Sequence, residues 1–197
     1  ADQVLTSDGT DISWADVSAG PTFKTFGTSS IMVGDDATGT IDAANYNTGL
    51  GVDIFAALTT GDTNTAVGYS ALAANTTANS NTAVGSLSLY TNSTGAQNTA
   101  VGQGALNANT TASDNTAVGN NALAGNTTGH SNTAVGTNAG IAITTGDYNV
   151  AIGRTALDAC TRADNNVAVG WTALGATTTG AGNTAVGGDS MAANTTG

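Results

Sequence analysis

The chain has 197 residues, with 14 acidic and 3 basic side chains and a formal charge of −11. Nucleic acid needs a basic footprint to neutralise its phosphates and none exists, so it is excluded as a partner, and an anionic membrane surface is disfavoured for the same reason. Charged residues are only 9% and aromatics 5%, and aliphatic positions recur regularly, which argues against disorder. The single cysteine, Cys160, leaves no intrachain disulfide.

In chain order, residues 1–29 form a leader that does not share the repeat of the remaining chain. Val4-Leu5 and Ile12-Ser13-Trp14 flank Ser7-Asp8-Gly9-Thr10, where Asp-Gly supplies a positive-φ hairpin turn. Ala19-Gly20-Pro21 breaks the chain, and Thr22-Phe23-Lys24-Thr25-Phe26 alternates like a half-buried strand. The leader is expected to cap the first repeat turn or to join it to a preceding module. No signal-peptide pattern heads it, and no apolar run approaches the ~18 residues of a membrane-spanning helix. A start at Ala1 and an end inside a repeat suggest a processed product or a piece of a longer chain.

From Ser30 to Gly197 a 17-residue period runs without insertion or deletion, giving ten turns with the last cut short. Asn115-Thr116-Ala117-Val118-Gly119 is one copy of its signature. Numbered within each turn, position 1 is Asn in nine turns: Asn47, Asn64, Asn81, Asn98, Asn115, Asn132, Asn149, Asn166 and Asn183. Position 4 is aliphatic and position 5 Gly in all ten. Position 8 is Ala in seven turns, position 9 Leu in six and position 14 Thr in eight. A strict period of this kind with β-type residues predicts a stacked array.

The expected coil has two short strands and two turns. Thr116-Ala117-Val118 reads as the first strand, ended by Gly119, and Ala122-Leu123-Ala124 as the second. Asn126-Thr127-Thr128-Gly129 reads as the returning turn. No 3.6-residue period supports a helix. The fold class is therefore all-β: a parallel β-solenoid, with coils about 4.8 Å apart and a rod of roughly 50 Å.

Stacking puts identical residues above one another, so the position-1 asparagines are expected to form an amide ladder. Position 12 alternates between Asn (Asn75, Asn92, Asn109, Asn126, Asn194) and apolar residues (Ile41, Leu58, Ile143, Cys160), which marks it as half-buried. Two large aliphatics per coil, near positions 4 and 9, bury little against the entropy of ordering 17 residues. A homo-oligomer along the rod axis is expected, packed through the alanines at positions 3, 8 and 11.

The repeat also carries a resemblance. Asn-Thr-Ala-Val-Gly-x-x-Ala-Leu-x-Ala resembles the head repeats of trimeric autotransporter adhesins. It resembles more closely the Asn-Thr-Ala-Val-Gly arrays of phage tail fibres and related virion fibre proteins. Val4-Leu5-Thr6-Ser7-Asp8-Gly9-Thr10, continuing to Ser13-Trp14, is similar to a connector in phage fibres. The resemblance implies a left-handed β-roll and a homotrimer. The chain departs from the adhesins in its longer turn at positions 12–17, and it carries no coiled-coil stalk, membrane anchor or self-cleaving chaperone.

Chemistry is sparse. His130, the only histidine, lies in a turn and reads as a solvated surface residue rather than part of a nucleophilic triad. Cys160 reads as a small buried residue. Asp62, Asp114, Asp147 and Asp164 precede the next position-1 Asn, and turn chemistry accounts for them better than calcium does, because they hold no calcium-roll spacing. Asp35-Asp36 and Asp158 break the pattern without a visible catalytic partner. No catalytic residue, metal or cofactor is expected.

Asn-x-Thr sequons at Asn75, Asn92, Asn109, Asn126 and Asn194 are either glycan acceptors or simply turn residues. Positions 6 and 10 are the most free to vary, and position 6 holds Asp35, Val52, Tyr69, Ser86, Gln103, Asn120, Thr137, Arg154, Trp171 and Gly188. Position 6 reads as a solvent-facing row, with Tyr69, Gln103, Asn120, Arg154 and Trp171 available for a receptor or a neighbouring chain.

The functional expectation is a non-enzymatic structural fibre segment of a phage tail fibre or adhesin, at the virion or bacterial cell surface or otherwise extracellular. It would hold or form a host-receptor-binding surface that recognises a cell-surface glycan or protein. Two alternatives stand beside it: an extracellular fibril that stacks end to end through open sheet edges, and an ice-binding protein using Thr rows. Against the latter, no flat Thr-x-Thr face is evident in the sequence.

Overall fold

The structure is a computed structural model that describes residues 5–7, 12–14, 22–24, 30–34 and 43–196. Its strands are β1 (Leu5–Ser7), β2 (Ile12–Trp14), β3 (Thr22–Lys24), β4 (Ile31–Gly34), β5 (Thr48–Gly51), β6 (Thr65–Val67), β7 (Thr82–Val84), β8 (Thr99–Val101), β9 (Thr116–Val118), β10 (Thr133–Val135), β11 (Val150–Ile152), β12 (Val167–Val169) and β13 (Thr184–Val186). They form one sheet in sequence order. β1 pairs antiparallel with β2, with Leu5 opposite Trp14 and Ser7 opposite Ile12, while the expected Asp8-Gly9 turn lies outside the described residues. β3 joins β2 to β4, both antiparallel, so the leader extends the sheet before the repeats begin. Of the expected strand at residues 22–26, β3 covers Thr22–Lys24, and residues 25–26 lie outside the described residues.

From β4 to β13 every pairing is parallel and in strict 17-residue register: Thr116 lies over Thr99 and under Thr133, and Ala117 over Ala100. The all-β parallel solenoid is thus the fold, with no helix among the described residues.

The coil differs from the two-strand expectation. Positions 2–4 supply its one strand, extended to position 5 in β4 and β5. Ala122-Leu123-Ala124 is not a strand but part of a run of tight turns. Ala122 N–H donates to the Gly119 carbonyl, Ala124 N–H to Asn121 and Asn126 N–H to Leu123. The first two of these turns carry positive φ at their third residue, as type II turns require, supplied by Asn121 (φ 54°) and Leu123 (φ 50°). Leu, Phe or Met holds this left-handed conformation at position 9 in Phe55, Leu72, Leu89, Leu106, Leu123, Leu157, Leu174 and Met191. The strain of about 1 kcal/mol per residue is offset by burial: from Phe55 to Leu174 each of these side chains is fully enclosed.

The invariant position-5 glycine has a different cause. Gly119 sits at φ 134°, and a Cβ there would lie 2.6 Å from the Gly136 carbonyl oxygen of the next coil. No L side chain fits.

A second correction concerns the sheet's inner face. The strand alternates as expected, but the alanines of position 3 (Ala66 to Ala185) point inward and are buried, while positions 2 and 4 point outward. Val101, Val118, Val135 and Ile152 are exposed, and Val67, Val84 and Val169 half-buried. Position 8 is also interior, at Ala71, Ala105, Ala122, Ala139, Ala156 and Ala173. The alanines of positions 3 and 8 therefore build the core and do not form the inter-chain face expected of them. From residue 64 to 182 one large aliphatic side chain per coil, Leu at position 9 or Ile143 beside Gly140, fills the interior against alanines, whereas in the coil of 47–63, with Gly49 at position 3, Ile54, Phe55 and Leu58 are all buried.

Candidate interaction surface

The interior is wired by asparagine. At position 1 the ladder forms, but its wiring is to the backbone. Asn115 Oδ1 accepts the backbone N–H of Asn132 in the next coil at 2.9 Å, while its Nδ2 donates to the Gly129 carbonyl of its own coil at 2.8 Å. The same pair of bonds recurs from Asn47 to Asn166, and Asn183 continues the column. Direct amide-to-amide contact at position 1 occurs only among Asn132, Asn149, Asn166 and Asn183.

The amide ladder proper runs at position 12. Asn109 Nδ2 donates to Asn92 Oδ1 at 2.7 Å and Asn126 Nδ2 to Asn109 Oδ1 at 3.1 Å. Each also donates to the position-15 carbonyl that already receives the position-1 amide; for Asn126 and Asn115 this is Gly129. Two buried side chains on one carbonyl pin each such coil shut.

Asn75, Asn92, Asn109 and Asn126 are fully buried. This corrects the glycan-acceptor reading for these four: their amide nitrogens are engaged in hydrogen bonds inside the core, and a sugar would have no room. Asn194, in the last coil, is half-buried. Cys160 is buried as expected and aims its thiol at the Ala163 carbonyl, 3.9 Å away, in place of the missing Asn. Burial raises its pKa and the Asp164 charge adds to this, against the opposing effect of that hydrogen bond.

The turn residues have work that sequence reading missed. At position 16 the polar side chains from Asp62 to Asp164 each accept the backbone N–H of the same position in the coil before, the column being interrupted at Ala96. Asp62 serves Asn45, Asp147 serves His130 and Asp164 serves Asp147. His130 joins this column: its Nδ1 accepts the Ser113 N–H at 3.0 Å, so it is a structural acceptor rather than merely a solvated residue. At position 13, Thr59, Thr76, Ser93, Thr110, Thr127, Thr144, Thr161 and Thr178 each donate a hydroxyl to the next coil's carbonyl. Among the described residues no group of three His, Cys, Asp or Glu side chains could hold a metal.

What remains outward is the strand side. Its rows are Thr or Val at position 2 and an aliphatic residue at position 4, stacked in register from β5 to β13 with no charge in either row. The position-6 row borders one edge and is solvent-facing as expected, with Tyr69, Gln103, Asn120, Arg154 and Trp171 all exposed. There Asn120 Nδ2 donates to Gln103 Oε1 at 2.6 Å. The position-17 row borders the other edge and carries Tyr46 and Tyr148. No family model, curated protein or solved structure matches this chain. The uncharged strand side, about 38 Å long over the eight coil spacings from β5 to β13 and some 20 Å wide between its bordering rows, is the candidate interaction surface.

Proposed function

We propose that the chain is a non-enzymatic structural fibre segment that self-associates through its strand side, as in a phage tail fibre or a bacterial adhesin. The reading is supported above all by one observation: a continuous, charge-free aliphatic face on a chain that otherwise carries a charge of −11. From residue 64 to 182 each coil encloses one large aliphatic side chain and leaves a second, at position 4, outside, so a lone chain forgoes about 1 kcal/mol or more per such coil that a partner would recover. An area of roughly 800 Å² per copy is that of a standard stable interface. Position 6 and the polar turns stay outside such an assembly and would present the host-receptor surface, a cell-surface glycan or protein being the target. The repeat's likeness to fibre arrays makes a homotrimer the expected closure and the virion or cell surface its place.

Light scattering followed by electron microscopy tests this: a discrete short rod of three chains is expected. A folded monomer sinks the self-association, and open-ended filaments would make end-to-end stacking the function.

A second reading has an observation of its own. Seven position-2 threonines stand on the outward side of a regular sheet, beside the position-4 aliphatics. That is the flat polar-apolar face an ice-binding protein needs. It requires the face to be free, so thermal hysteresis from a monomer would favour it, and a trimer without hysteresis would remove it.

A further inference from the structure

Rows of identical residues cannot by themselves fix how two copies align. A slip of one coil replaces every Thr and Val contact by an equivalent one, so register is weakly specified. Something off the repeat must break the tie. The exposed aromatics bordering the strand side are placed to do so.

Tyr46 stands two residues before β5 at the position-17 edge, 58% exposed, and Tyr69 two residues after β6 at the position-6 edge, 54% exposed. Tyr148 stands likewise before β11, 60% exposed, and Trp171 after β12, 53% exposed. The two pairs are the same motif: each spans adjacent coils and opposite edges, and the second copy lies six coils, about 29 Å, along the rod. Elsewhere the two bordering rows hold small or polar residues, apart from Val52. The charges among their described residues are Asp114 and Arg154, opposite in sign and on opposite edges.

Copies arranged in parallel around an axis along the rod, with their strand sides together, bring the position-6 edge of one against the position-17 edge of the next. Tyr69 of one copy then comes within one coil spacing, about 4.8 Å, of the height of Tyr46 in its neighbour. Trp171 meets Tyr148 in the same way, at the ring-to-ring range of aromatic pairs. We propose that these four aromatics act as two clasps that fix parallel, in-register assembly of copies of this chain. The proposal rests on the self-association above and adds its direction and alignment. A shift of one coil that parts the rings opens both clasps at once, because both pairs share one spacing, and a shift the other way, repeated around three copies, cannot close the ring.

Gln97 and Asn120 occupy the same two edges with the same offset, midway between the clasps. The double variant Gln97→Cys/Asn120→Cys, treated with a mild oxidant or a short bis-maleimide, is expected to cross-link between copies. The variant moved by one coil, Gln97→Cys/Thr137→Cys, should cross-link at least tenfold less. Native Cys160 is buried and stays silent. Replacing Tyr46, Tyr69, Tyr148 and Trp171 by Ser in both backgrounds is expected to erase that preference while circular dichroism of the fold is unchanged.

Equal cross-linking of the two pairs with the aromatics present would overturn the clasps, as would a preference that survives their removal. Cross-linking of Gln97→Cys alone would overturn the parallel arrangement, since an antiparallel pair brings that residue to its own symmetry mate. Light scattering on the same samples separates these results from a chain that stays monomeric, which would remove the self-association itself.

Discussion

The two asparagine columns share a residue type, a degree of burial and a target carbonyl, yet only one tolerates interruption. Position 1 is Asn in every coil from Asn47 to Asn183. Position 12 lapses to Leu58, Ile143, Cys160 and Thr177. The difference lies in who depends on the side chain. A position-1 Oδ1 caps a backbone N–H of the next coil, so its loss strands a group no other residue can reach. A position-12 amide bonds to its own coil and to another Asn like itself. Such a column can be exchanged in blocks, at the cost of an unpaired atom where a block ends. Asn126 Oδ1 is that atom, buried without a partner beneath Ile143.

Breaking the first column should cost most. Asn115→Ala leaves the Asn132 N–H buried and unpaired and opens a small cavity. About 2–4 kcal/mol of stability should be lost, read as a shift in the denaturant midpoint. Asn109→Ala removes a position-12 member. The Ala112 carbonyl keeps its bond from Asn98 and only Asn92 Oδ1 is newly orphaned, so about 1–2 kcal/mol is expected from the same measurement.

The sharpest probe is the coil of residues 132–148, where Gly140 replaces the usual Leu and Ile143 the usual Asn. A Cβ on Gly140 would already come 3.0 Å from Ile143 Cδ1. Gly140→Leu should therefore overpack and Ile143→Asn should leave a void, each destabilising by about 1–3 kcal/mol. The double variant restores the consensus and gives Asn126 Oδ1 a donor. It should fall within about 0.5 kcal/mol of the parent, and a double-mutant cycle showing simple additivity would refute the exchange.

The smallest effect is expected at Asp158, half-buried and outside both columns, whose pKa is raised by burial against the lowering effect of a backbone hydrogen bond. A raised carboxyl favours the fold when protonated, so its cost is absent below the ordinary carboxylate range and grows as pH rises through it. Asp158→Asn should raise the melting temperature slightly at pH 7, with the gain vanishing in acid.

The sequence made legible whatever a strict period exposes: the solenoid, its register, the first strand and the asparagine stacking. It hid what depends on coil thickness. In Thr116-Ala117-Val118 the larger residues suggested the inner face, but only Ala fits opposite Leu123, so Val118 faces outward. The second strand was misread because Leu123 is no usual bearer of positive φ, and burial rather than local preference holds it there. The position-16 column was hidden by its variety, since Asp147, His130 and Ser113 share only an acceptor atom. That common chemistry was present in the sequence all along. The sealed state of Asn92 and Asn109 was not, because the same Asn-Thr-Thr run suits a surface turn equally well.

Each coil touches only the coils on either side of it, and this gives the rod a particular response to load. Pulled at an end, it should yield like a wound cord rather than snap like a packed globule. Each coil that peels away gives up about 4.8 Å of rod and releases some 55 Å of extended chain. A single molecule held in an optical trap should lengthen in near-equal steps, a tether that absorbs work in 17-residue increments.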